Sequence, residues 1–127
     1  MIKHAVVKQT LFDHLEIART FTSRMVGLLN RKSLNPQSAL LLTNCCAVHT
    51  CGMRFPIDVA FLDKDGFVLS IVERMGTFRS ASNREATHTL ECRAGRMGEL
   101  GIVTGNQLAW DQIQGVARVE YSDTHNS

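Results

Sequence analysis

The clearest pattern in the chain lies at residues 57–72. Two apolar runs, 57–62 and 67–72, flank the polar break Asp63, Lys64, Asp65 and Gly66. Such a break, closed by a glycine, predicts a hairpin with a type I turn and Gly66 left-handed at the bulge. Upstream, residues 5–9 and 15–19 read as strands around a turn at Phe12, Asp13 and His14, and residues 39–43 as a buried strand. Between them, Phe21, Met25, Leu28 and Leu29 recur at helical spacing. With Thr22 as N-cap and Asn30 as a left-handed stop, a helix of about two turns is expected. Residues 76–84 are polar and read as a loop, and residues 86–91 as a strand. Residues 94–100 predict a short helix ending at Gly101, with Ile102 folding back on Met97. Gly95 and Gly98 weaken that helix, so tertiary packing must hold it. Two more strands, 108–111 and 116–120, end the chain, followed by a frayed tail at 122–127.

Many short strands with frequent turns predict a mostly β fold: a compact antiparallel barrel-like or sandwich-like single domain with two short helices. It is expected to span residues 1–127, with its core at about 5–121. Expected core positions include Val7, Ile17, Met25, Leu28, Leu41, Val59, Phe61, Leu69, Ile71, Leu90, Leu100, Ile102 and Leu108. At 127 residues and 44% hydrophobic, the chain can bury a core without disulfides or a structural metal. The longest uninterrupted apolar run is four residues, too short for a membrane-spanning helix. The first residues lack the apolar stretch of a signal peptide, so a cytoplasmic location is expected, with Cys45, Cys46, Cys51 and Cys92 as free thiols.

Net charge is only +2, but its distribution is uneven. From Ile17 to Ile57 there is no carboxylate, while Arg19, Arg24, Arg31, Lys32 and Arg54 are basic. This segment favours a nearby anionic group. The plainer reading pairs these arginines with carboxylates brought close by folding. Basic residues do not interleave with aromatics as in single-strand binders, so no nucleic acid is expected.

The densest chemistry is at residues 45–51, where Cys45, Cys46 and Cys51 surround His49. Zinc takes four such ligands, but adjacent cysteines diverge on an extended chain and the usual paired spacing is absent, so no metal and no cofactor are expected. A second reading makes Cys51 or Cys45 a nucleophile with His49 as base and Asp58 orienting it. The plain alternative treats these cysteines as small buried hydrophobes. Asp58, in an otherwise apolar run, is read first as an anchor for the turn at residues 52–56 and second as a general base. Arg24, Gly27 and Arg31 fall along one helical stripe, where Gly27 leaves room for a carboxylate or phosphate or, equally, for helix–sheet packing.

Several stretches are familiar in this order: residues 27–34, the run from Val48 through His49, Thr50, Cys51, Gly52, Met53, Arg54, Phe55 and Pro56 to Val59, then Phe61 to Asp63, Asp65 with Gly66, and Leu90 with Glu91. With Ala94, Gly95, Gly101, Ile102 and Gly105 they resemble the family called domain of unknown function 192, from about Leu15 to Leu108. The resemblance implies no settled activity, and implies export or membrane attachment for many members. Cys45 and His49 match the closer members, whereas Cys46 and Cys51 depart from the pattern, and Asn106 stands where the family tends to have Asp.

The expected function is a non-enzymatic binding module for a small anionic ligand or an acidic peptide end, its site lined by Arg24, Arg31, His49, Met53, Arg54 and Asp58. The rival is a hydrolase-like enzyme using Cys51 or Cys45 with His49; the third is a structural or assembly protein.

Overall fold

Successive side chains on a strand point to opposite faces, so a strand covered on both sides reads as a continuous apolar run. That is the situation of β5 (Ile57–Leu62), which is buried throughout. In the computed structural model, which describes residues 6–18, 34–113 and 116–124, β5 lies inside a five-stranded sheet. Its neighbours are β2 (His14–Ala18), β3 (Ser38–Thr43), β6 (Val68–Met75) and β8 (His88–Arg93), in the order β2-β3-β8-β5-β6. A three-stranded antiparallel sheet joins β1 (Val6–Phe12), β10 (Val116–Thr124) and β9 (Gln107–Ile113). A two-stranded ribbon pairs β4 (Ala47–His49) with β7 (Ser80–Ser82).

Two apolar clusters sit on the two faces of the five-stranded sheet. On the first, Ala60, Leu62, Leu41, Leu90 and Cys92 meet Leu11 and Phe12 of β1, Leu108 of β9, and Met97. On the second, Ile57, Val59, Phe61, Leu40 and Leu42 are covered by Val48 of the ribbon and by Met53 and Phe55 of the loop after it. Expected core residues Leu41, Val59, Phe61, Leu90, Ile102 and Leu108 are buried, and Ile17, Ile71 and Leu100 pack against the first cluster. Leu69 is half-buried and belongs to neither cluster.

The hairpin forms as the sequence predicts. Gly66 is left-handed (φ 88°), and the Asp63 carboxylate accepts the N–H groups of Asp65 and Phe67. The chain also approaches β9 closely here: Gly66 O accepts the Leu108 N–H at 2.9 Å, and a Cβ at Gly66 would collide with the Leu108 carbonyl oxygen. The short helix α1 (Arg96–Leu100) is present, and Ile102 N–H returns to the Met97 carbonyl at 3.0 Å.

Some expectations need correction. The sheets close into no barrel among the described residues. One pair, β2 with β3, is parallel rather than antiparallel, because the chain between them is long enough for a crossover. The loop expected at residues 76–84 contains β7. β10 continues to Thr124, beyond the expected start of the frayed tail, because Ser122, Asp123 and Thr124 pair with Lys8, Val7 and Val6. The expected helix around residues 22–30 lies outside the described residues, which hold one short helix, α1.

Candidate functional site

Asp58 faces the first cluster, since Ile57 and Val59 beside it face the second. It is fully buried, and its carboxylate is occupied by main chain. Oδ1 accepts the Arg74 N–H at 2.8 Å, and Oδ2 accepts the N–H groups of Gly95 and Met97, both at 3.0 Å. From the sequence, the anchor is expected at the turn of residues 52–56. Its actual partners are the irregular stretch of β6, where Arg74 is left-handed (φ 51°), and the start of α1. A residue other than glycine in that conformation costs about 1–2 kcal/mol. A charge-assisted bond to its own N–H contributes on the same order. Burial and the neighbouring Asp58 both push the Cys92 thiol well above its ordinary range, so this cysteine stays protonated.

The ribbon is built differently. Thr50, fully buried, donates its hydroxyl to the Gly76 carbonyl at 2.6 Å and accepts the Arg79 N–H at 2.9 Å. That tie draws residues 76–79 against β4 and sets the ribbon register, His49 opposite Ser80 and Ala47 opposite Ser82. Val48 is buried in the second cluster and Ala81 packs against it. The alternate residues Ala47, His49, Ser80 and Ser82 therefore form the ribbon's outer face. Along the ribbon runs an open groove of about 530 Å³ lined by residues 47–49 and 80–82. Among the described residues its lining contains one imidazole, two hydroxyls and no carboxylate.

Both ribbon strands come from stretches without acids. β4 lies in the segment from Ile17 to Ile57, and β7 in the segment from Arg74 to Arg84, which carries three arginines and no carboxylate. Arg54, Arg79 and Arg84 are exposed. Arg24 and Arg31 lie outside the described residues. Met53 is buried in the second cluster, where its thioether supports the loop over the sheet. The structure thus brings His49 to the groove, leaves Arg54 exposed, and places Asp58 on the other face of the sheet.

All four cysteines are free. Cys45 donates its thiol to the Ala47 carbonyl at 3.0 Å and is partly covered by the second cluster. Cys46 and Cys51 are exposed. Among the described residues no three His, Cys, Asp or Glu side chains gather as a metal-binding set. No described helix is long and apolar enough to cross a membrane.

Two polar positions escaped the sequence reading. Glu91 is fully buried and faces the second cluster, opposite Leu40 and Val59 in the register. The signal was an acid in mid-strand between Leu90 and Cys92. His88 accepts the Asn44 N–H on Nδ1 at 3.3 Å and meets Trp110 edge to face, ring centroids 5.5 Å apart. Burial lowers its pKa, against the opposing pull of Asp63. Asn106 uses its side-chain oxygen to accept the Val103 N–H at 2.8 Å, an acceptor role that needs no charge.

A family model, that of domain of unknown function 192 with the description "Uncharacterized ACR", matches residues 3–110. A crystal structure of a protein of unknown function from Novosphingobium aromaticivorans shares 21% identity over 84% of each chain, with a TM-score of 0.68. Another, from Sinorhizobium meliloti and described as a candidate transcription regulator, shares 20% identity over 95% of this chain and 97% of that one, with a TM-score of 0.67. At this identity they share the fold. No curated protein matches the chain significantly.

Proposed function

This chain belongs to the domain of unknown function 192 family, and we propose that it is a non-enzymatic binding module that takes an anionic ligand on the outer face of the β4–β7 ribbon. The observation behind this reading is that the two strands of one groove come from the two acid-free stretches described above. A carboxylate entering there meets His49 and the hydroxyls of Ser80 and Ser82, with the exposed guanidinium groups of Arg54, Arg79 and Arg84 raising the local potential. Arg24 and Arg31, the other basic residues expected at the site from the sequence, lie outside the described residues, and the site as proposed does not rest on them. Met53 and Asp58 serve the scaffold instead. A reducing cytoplasm suits a chain with exposed thiols at Cys46 and Cys51.

The test is an NMR titration of the full chain with glutarate, with the neutral diamide glutaramide as control. Glutarate is expected to shift the His49, Ser80 and Ser82 resonances, with binding weakened by added salt. If glutarate leaves the ribbon unmoved, or the diamide moves it equally, the anionic site is overturned.

A further inference from the structure

We infer that the natural ligand is an extended acidic peptide that adds to the outer edge of β7 as a third strand of the ribbon. This rests on the anionic-site reading and adds the main chain of β7 to it. In the ribbon, Thr50 N–H donates to the Arg79 carbonyl and Asn83 N–H to the Cys46 carbonyl. In an antiparallel ladder bonded and non-bonded pairs alternate, so Val48 with Ala81 is a bonded pair as well. Ser80 and Ser82 therefore turn their N–H and C=O groups away from β4. Both residues are exposed, and no strand among the described residues takes up that edge. On the opposite edge the Ala47 carbonyl already accepts the Cys45 thiol.

An open edge invites a strand, and proteins that avoid one use lysine, proline or a bulge there. β7 is short, at three residues, but it carries no lysine, proline or bulge: it reads Ser80, Ala81, Ser82. Charge selects the occupant. Arg79 precedes the strand and Arg84 follows it closely, both exposed, with no carboxylate from 74 to 84. Acidic side chains at the two ends of an added strand meet a guanidinium at each. A second copy of β7 would set arginines against arginines. Beside the strand start, Phe78 is 76% exposed on a left-handed backbone (φ 57°), a surface for an apolar side chain of the peptide. Main-chain bonds would supply affinity, and the arginines and Phe78 the selection.

The experiment measures fluorescence anisotropy with a fluorescein-labelled hexapeptide of alternating Glu and Val. Its Lys–Val counterpart and versions N-methylated at alternate residues, in both frames, are run beside it. The acidic peptide is expected to bind the wild type. Binding should weaken about tenfold or more when one N-methyl frame blocks the edge, and similarly in Ser82→Pro and Arg79→Glu. The N-methyl arm leaves the protein unaltered, so a misfolded variant does not decide the outcome. If both N-methylated frames bind as well as the parent, strand addition is overturned and the anionic site stands. Strand addition alone also falls if glutarate shifts the ribbon but the peptide does not bind, or if the edge proves to be filled by a concentration-dependent dimer in sedimentation. If neither the peptide nor glutarate binds, or if the Lys–Val peptide binds as well as the acidic one, both readings are overturned.

Discussion

Asp58 and the β4–β7 ribbon lie on opposite faces of one sheet and treat polar groups in opposite ways. At Asp58 a full charge is buried, and three backbone N–H groups converge on it. On the ribbon no charge is buried, yet Ser80 and Ser82 turn their backbone groups away from β4, to an edge that no described strand takes up. A carboxylate in an apolar strand looks like chemistry in a sequence, but here its oxygens are spent on holding a bulge and a helix start. The serines look like filler, but among the described residues no backbone partner takes up their outward groups. Availability, rather than charge, separates the proposed site from the scaffold.

The strongest way to break this contrast is Asp58→Asn. One carboxylate oxygen becomes an NH₂ group facing buried donors, leaving at least one N–H of Arg74, Gly95 or Met97 unmet. A buried unsatisfied donor costs roughly 1–3 kcal/mol, more beside a lost charge, so a loss of about 3 kcal/mol is expected. Urea unfolding measures it. A variant as stable as the wild type would return Asp58 to the functional candidates.

The anchor itself was legible in the sequence, and its partners were not. They lie 16, 37 and 39 residues away along the chain, beyond any local pattern. The hairpin at 57–72 was legible because a polar break and Gly66 state its turn locally, and the end of α1 because Gly101 and Ile102 do the same. The ribbon was invisible for a different reason. Strands of three residues carry too little alternation to register, and β7 is built of small polar residues that read as loop. Its register depends on Thr50 reaching across to Gly76 and Arg79. The acid-free stretch from Ile17 to Ile57 did point towards β4. The matching stretch around β7 gains meaning only once the two strands pair.

Thr50→Val probes that tie. The shape is kept, but the Gly76 carbonyl and the Arg79 N–H lose their partner at a fully buried position. A loss of about 2 kcal/mol is expected. Hydrogen exchange should accelerate first at Arg79, Ala81 and Asn83, with the Asp58 junction still protected. Uniform acceleration would mean that the two regions unfold as one.

A smaller effect separates the two faces by pH. His88 has a pKa lowered from its ordinary 6.5 by burial, and its neutral Nδ1 accepts the Asn44 N–H. Because the unfolded chain binds the proton more readily, this stability is full above about pH 6.5 and is lost as pH falls towards the lowered folded value. His88→Gln should flatten part of the decline in melting temperature between about pH 7 and pH 5. An unchanged slope would show that His88 titrates alike in both states.

The smallest effect on stability is expected from Ser82→Pro. Its N–H points away from β4, and proline is tolerated on an edge strand where the missing donor faced solvent. A change within about 0.5 kcal/mol is expected. Ala81→Pro is the matched control, one residue away. There the N–H points towards Val48, and its removal, with the ring set against β4, should cost about 3 kcal/mol. The two variants carry the same substitution on the same strand and differ only in which way the backbone faces. Differential scanning calorimetry on both tells them apart. Equal losses would mean that the outer edge of β7 is engaged within the fold itself, and the contrast between a satisfied junction and an open ribbon would fall.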